Sequence, residues 1–406
     1  TCMRPLIIIL LAFCSVALYA EDTIPAIAST DTMSIAIDTD TTAVAATDTL
    51  VDLPIFFDEA LAWLDTTECH SDTIITELPD SVYKARLQTL PFVIEVPYNE
   101  IVRRYILRYV KHSPRQLASL QRKAEYYFPI FEDILCKHEL PFELCYLPVI
   151  ESALNPQARS HMGAVGLWQF MPSTGKKYGL EINSLIDERM DPIRSTEAAC
   201  RFLKSLYSIF NDWNLVIAAY NCGPGNVNRA IARAGANCKT YWDIYDFLPR
   251  ETRGYVPKFI AAAYAYTYHE AHNITAAATP DCINTDTVMV HRVMHLGQVA
   301  STLNIPIETL RDLNPQYKLD IIPATRKSYT LRLPMRYISE FTAKEKEIYS
   351  KEKQYLKEYM NPDNLDKKRT PIAKPAEVSY TYVVKDGDML GFIARRNNYT
   401  VDEIVK

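Results

Sequence analysis

Between about residue 99 and residue 272 the apolar side chains recur at helical spacing, and this periodicity restricts the chain to a helical core more tightly than any other feature. Ile101, Val102, Tyr105, Ile106, Tyr109 and Val110 share one face, and Asn99 is placed to cap its start. Ser113-Pro114 reads as a cap and first-turn proline for a second helix carrying Leu117, Leu120, Ala124, Tyr127 and Phe128. Pro129 is expected to break or kink that helix before Phe131, Ile134 and Leu135. Asp191-Pro192 repeats the cap-plus-proline signal ahead of Ala199, Phe202, Leu203, Leu206, Ile209 and Phe210, a stripe read as core. Trp213 to Tyr220, Val227 to Ala234 closed by Gly235, and Tyr255 to Tyr268 complete a mainly α unit placed at 98–272.

The remaining residues divide by composition. A length of 406 residues exceeds one typical domain of roughly 100 to 200, so further units are expected. Arg4-Pro5, an apolar run from Leu6 to Leu18 and the exit Tyr19-Ala20-Glu21 read as a secretory signal over 1–20, cleaved after Ala17 or Ala20. Cys14 leaves open a lipid-anchored alternative, although Phe13 stands where such signals want a small residue. The expected location is therefore the periplasm or cell envelope, with outer-membrane anchoring undecided. Residues 21–97 read as a Thr/Asp-rich tether and lead-in. Strand, helix, helix and strand signals at 288–293, 298–303, 307–313 and 328–333 define a small βααβ unit at 285–335. A Lys/Glu-dense linker follows at 336–378, its 342–376 stretch reading as a solvated helix and spacer. A second copy of the small unit, at 379–406, is cut short. Because the chain also opens on Thr1, it reads as a fragment or a trimmed gene sequence with Met3 as the natural start.

The net charge of -5 offers no basic excess, which disfavours a nucleic-acid partner. No C-x-x-C pair or zinc-spaced Cys/His cluster occurs, so no metal and no cofactor are expected; His291 and His295 read as ordinary strand and turn residues. Cys69, Cys136, Cys145, Cys200, Cys222, Cys238 and Cys282 remain after the leader, an odd set that cannot pair completely. The sequence carries no sign of oligomeric state.

Chemistry concentrates at Pro148-Val149-Ile150-Glu151-Ser152-Ala153-Leu154. Apolar neighbours strip water from the charged form of Glu151, which raises its pKa and keeps a proton available for general acid catalysis. Such an acid is often paired with a second carboxylate. No second Asp or Glu lies in the neighbouring blocks; Glu143, expected upstream on the same helix, and Asp187, in a loop, are the carboxylates that can approach in space. Gly163 and Gly166 offer positive φ or close backbone approach, Gln169 offers donor and acceptor groups, and Trp168 among Leu167 and Phe170 reads as core. Tyr220-Asn221 ends a buried helix at Gly223-Pro224-Gly225. Cys222 reads as small filler, Thr252 and Arg253 as braces for the last helix, and Glu251 as one half of an ion pair with an arginine.

Four blocks stand in a fixed order: Glu151-Ser152; Gly163 to Pro172; Ala219-Tyr220-Asn221-Cys222-Gly223-Pro224-Gly225-Asn226-Val227; and Glu251-Thr252-Arg253-Gly254-Tyr255-Val256-Pro257. Together they resemble the goose-lysozyme-like lytic transglycosylases of bacterial cell walls, the membrane-bound lytic transglycosylase D group above all, over residues 98 to 270. The resemblance implies a lysozyme-like helical domain acting on peptidoglycan glycan strands, in which the N-acetyl group of the muramic sugar assists and its 6-hydroxyl closes a 1,6-anhydro ring. It makes Glu151 acid and then base. It also implies that Ser160 holds the reacting sugar, that backbone around Met171 lines the cleft, that Asn221 lies beside the acid and that Tyr255 hydrogen-bonds Glu151. The small units resemble LysM modules, which bind N-acetylglucosamine-containing glycans. The second keeps the Val384-Lys385-Asp386-Gly387-Asp388 opening; the first keeps Leu310, Leu313, Asn314 and Pro315 but lacks that opening. A hydrolytic lysozyme or chitinase and a non-catalytic wall-binding protein remain the alternatives.

Overall fold

The computed structural model describes residues 74–75, 77–235, 240–275 and 284–360. The leader, most of the tether and the truncated second copy lie outside the described residues, as do Cys69, Cys238 and Cys282.

Among the described residues, nine α-helices of six residues or more build the first unit: α1 (Asp80–Gln88), α2 (Glu100–Leu107), α3 (Pro114–Lys137), α4 (Leu147–Ser152), α5 (Pro172–Lys177), α6 (Pro192–Phe210), α7 (Trp213–Cys222), α8 (Pro224–Ala234) and α9 (Tyr255–Thr267). Helix α9 is the centre. It buries Val256, Phe259, Ile260, Tyr264 and a run of alanines on every side, which only an interior helix does, and it packs against α2, α4 and α7. The caps expected at Asn99 and Asp191 form: Asn99 Oδ1 accepts from Val102 N, and Asp191 Oδ1 accepts from Ile193 N and Arg194 N.

Several expectations fail for physical reasons. Pro129 does not break α3, which runs through it. An interior proline costs about 3 kcal/mol, but Ala124, Phe128, Phe131, Ile134 and Leu135 are all buried around it, and each large apolar side chain so buried contributes roughly 1.5 to 3 kcal/mol. Ser113 makes no side-chain cap; the chain enters α3 from a π turn, Arg108–His112. Ile209 is exposed, while Tyr207 and Phe210 of the same last turn of α6 pack against the core. The lead-in before residue 98 is not a tether throughout. Tyr83 and Leu87 of α1, then Leu90 and Ile94, enter the main core; two apolar residues four apart gave too faint a period to read as a helix.

The second unit is the expected βααβ arrangement. Strand β1 (Thr285–Val290) pairs antiparallel with β4 (Tyr329–Pro334), with Val288 opposite Leu331; a shorter pair, β2 (Met294–His295) with β3 (Ile321–Ile322), adds to it. Helices α10 (Leu296–Leu303) and α11 (Ile307–Leu313) lie between. His295 accepts from Gly297 N and so caps α10, while His291 contacts the Ser328 hydroxyl. The stretch expected to begin as a solvated helix is helical, as α12 (Ile338–Ser350) and α13 (Glu352–Met360), but it is not wholly solvated. Phe341 and Ile348 enter the module's core, and the buried Gln298 donates to Ile348 O. Its charge density concealed an apolar stripe. No helix among the described residues is long and apolar enough to cross a membrane.

Candidate active site

Helix α4 is six residues long and ends immediately after Glu151. Ala153 and Leu154 then take left-handed backbone at φ 50° and 57°, a conformation that burial of both side chains offsets. The Ser152 hydroxyl fixes this end by donating to Pro148 O and to Leu167 O of the loop that follows, both at 3.0 Å. Glu151 is thus held at a helix end, half-buried, against that loop.

Tyr255, in the first turn of α9, donates its hydroxyl proton to Glu151 Oε1. Tyr220, on α7, lies close enough for the Glu151 charge to raise its pKa further, and its own hydroxyl donates to Trp168 O at 2.7 Å. Desolvation pushes the Glu151 carboxyl up from the ordinary 4.5 to about 7, against the lowering effects of the Tyr255 hydrogen bond and the Lys258 charge. Burial likewise holds Lys258 below the usual lysine range. Lys258 escaped notice in the sequence, although its place three residues after Tyr255 puts both on one face of a helix.

Among the described residues, no carboxylate is one of the groups acting on Glu151. Glu143 stands in a separate 3-10 turn, Phe142–Tyr146, where its carboxylate accepts from the Val93 and Ile94 amides. Asp187 is buried and bound by Arg189 Nε at 2.9 Å and Nη2 at 2.8 Å. Both are structural. Glu251 is exposed and, among the described residues, forms no ion pair with an arginine; its charge acts instead on Lys258.

The loop 158–171 carries the other expected site residues. Ser160 Oγ accepts from Ala164 N at 2.9 Å, and Gln169 commits its amide nitrogen to Gly166 O at 2.8 Å and Ala158 O at 3.2 Å. The Gln169 donor therefore builds the loop. Trp168 is fully buried, its indole nitrogen 2.9 Å from Thr196 Oγ1, and Met171 stands partly exposed before α5. Gly163 and Gly166 have φ of +86° and +90°; a Cβ at Gly163 would meet nothing within 4 Å, whereas one at Gly166 would lie 1.9 Å from Arg189 O. The close approach expected of Gly166 is to protein backbone. Asn221, exposed at the end of α7, accepts from Thr252 Oγ1 at 2.9 Å, and Arg253 donates to Leu248 O and Asp246 O. Cys136, Cys145, Cys200 and Cys222 are free thiols.

The desolvated Glu151 falls within a family signature, since the transglycosylase SLT domain pattern matches residues 129–242, and Tyr255 stands just beyond it. Residues 129–242 are a transglycosylase SLT domain. The LysM-like domain of lytic transglycosylase MltD matches residues 284–350, which takes in α12, and a LysM domain matches 382–406. The chain is 30% identical to the membrane-bound lytic murein transglycosylase D of Escherichia coli over 304 residues, 74% of this chain and 64% of that protein. It thus spans somewhat under two thirds of that relative. A soluble lytic murein transglycosylase of Escherichia coli is 32% identical over 123 residues, 29% of this chain and 19% of the relative. Among solved structures, an inactive mutant of the lytic transglycosylase Slt from Pseudomonas aeruginosa aligns over 43% of this chain and 31% of its own, at 25% identity and a TM-score of 0.31.

Replacing Tyr255 by Phe removes the donor to the acid. A hydrogen bond to a charged group is worth about 1.5 to 3 kcal/mol, so turnover should fall at least about tenfold. Because that bond lowers the Glu151 pKa, the pH at which activity declines should move upward. An unchanged pH profile for Y255F would show that the bond does not tune the acid.

Proposed function

We propose that the chain is an exported peptidoglycan lytic transglycosylase of the cell envelope, a glycan-cleaving lyase. It cuts the β-1,4 bond between N-acetylmuramic acid and N-acetylglucosamine and leaves 1,6-anhydro-muramic ends. One observation carries the reading: Glu151 is a protonatable acid at neutral pH and, among the described residues, no second carboxylate acts on it. The acid gives its proton to the bridging oxygen as the bond to C1 breaks, and the sugar's N-acetyl oxygen takes up the charge at C1. The resulting Glu151 carboxylate then accepts the proton of the 6-hydroxyl as that oxygen bonds to C1 and displaces the N-acetyl oxygen from it. The proton returns to Glu151 and no water is consumed. The name of the Escherichia coli relative, a murein transglycosylase, supports the substrate class. The LysM-type modules are read as holding the same polymer, and the 1–20 leader as directing export.

Digestion of purified sacculi followed by mass analysis of the muropeptides tests this directly. Products lighter by one water than the hydrolytic ones are expected; full-mass reducing ends would make the protein a lysozyme-like hydrolase instead. Since the resting acid must carry its proton, activity should decline as pH rises through about 7. Full activity persisting well above pH 8 would remove Glu151 from the acid's role.

A further inference from the structure

The SLT domain and the LysM-like module meet through a strap, residues 181–191, that belongs to both. Ile186 is fully buried in the module's core, not the catalytic one. On either side of it the strap is stitched to the module by backbone: Asp187 N donates to Gln316 O at 2.9 Å and Lys318 N to Leu185 O at 2.8 Å, with Ile186 bridged to Tyr317. Side chains add to this. Lys318 Nζ donates to Asn183 O at 2.7 Å, and Lys327 Nζ lies 2.6 Å from Glu181 Oε2.

The strap's other side faces the active-site loop. Asp187 grips Arg189 with both carboxylate oxygens, and Arg189 Nη1 donates to Gly163 O and Phe170 O, each at 2.9 Å. Those carbonyls lie towards either end of the hairpin whose Leu167 carbonyl receives the Ser152 hydroxyl, next to Glu151. A planar guanidinium fixed by a buried carboxylate is a rigid spacer, since its donors cannot turn independently. A continuous path of packed and hydrogen-bonded groups therefore runs from the module's core to the loop beside the acid.

We propose that the LysM-like module is a positioning element of the catalytic unit: by seating Ile186 it fixes the Asp187–Arg189 pair, which sets the 163–170 hairpin against Glu151. The inference rests on the glycan-cleaving reading of that site. It differs from a glycan-holding role in what it moves, because a misplaced loop lowers turnover, whereas lost glycan grip weakens binding.

The test uses the full chain with Ile186→Ala plus Lys318→Ala, against the conservative Ile186→Val. The double variant should lose at least about tenfold in kcat with KM within about twofold, and amide exchange at residues 164–169 should quicken while α9 keeps its protection. Ile186→Val should behave as the parent. A raised KM with kcat kept overturns the proposal and leaves the module a glycan holder; unchanged kcat and exchange overturn it as well. If the double variant does not fold, Lys318→Ala alone, at the rim of the contact, carries the same comparison. If the parent cleaves no glycan, the cleavage reading falls, and the exchange measurement still decides whether the module holds the loop.

Discussion

Glutamine in place of Glu151 is expected to lower the rate of glycan cleavage by about 10² to 10⁴-fold, the span a positioned general acid contributes. The shape barely changes; the proton is lost. The same substitution should stabilise the protein at high pH, because function and stability oppose each other at this position. With its pKa raised on folding from 4.5 to about 7, Glu151 contributes stability that is fully present below pH 4.5 and is lost as pH rises through 7. At about 1.4 kcal/mol per unit, the folded state at pH 8 carries up to roughly 3 kcal/mol of penalty that a neutral glutamine avoids. E151Q should therefore melt several degrees above the parent at pH 8 and together with it at pH 4. Equal melting at both values would mean that the carboxyl is not desolvated, and the mechanism would lose its acid.

The largest effect on folding is expected from Gly166→Ala. The new Cβ would sit 1.9 Å from Arg189 O and 2.7 Å from Arg189 C, both backbone atoms, at a φ of +90° that side chains rarely adopt. Conformational cost of about 1 kcal/mol and overpacking of about 1 to 3 kcal/mol together lower stability by roughly 2 to 4 kcal/mol, or about 2 to 5 °C in Tm for a chain of 406 residues. Gly163→Ala is the control: its φ is equally positive, +86°, but nothing lies within 4 Å. It should lose only the conformational part, about 1 kcal/mol. If the two variants melt alike, contact with the strap is not what requires glycine at 166. Activity should fall further in the Gly166 variant, since Arg189 must shift and it holds Gly163 O and Phe170 O.

Glu151 stood out in the sequence as the end of an apolar run, while its bond to Tyr255 was implied by the family resemblance and not by any local pattern. Lys258 was legible in principle from its spacing. Arg189 was not, since nothing in its neighbours says that a guanidinium will span a hairpin 19 to 26 residues earlier. The part Gln169 plays in closing the loop was hidden for a related reason: an amide offers the same groups to a sugar and to backbone, and only the closed loop shows the bonds its nitrogen makes to Ala158 O and Gly166 O.

By itself the sequence determined what is periodic or local: the helical unit, the caps at Asn99 and Asp191, the βααβ module and the desolvated glutamate. Local rules suffice there because neighbours in sequence are neighbours in space. Tertiary structure alone decided that α3 continues through Pro129, that the charged segment after 336 folds back as α12, that Glu143 and Asp187 are spent on backbone and arginine, and that the module shares a strap with the active-site loop. In each case a local preference of a few kcal/mol was outweighed by burial or pairing with groups remote in the chain, and no window of residues contains both partners.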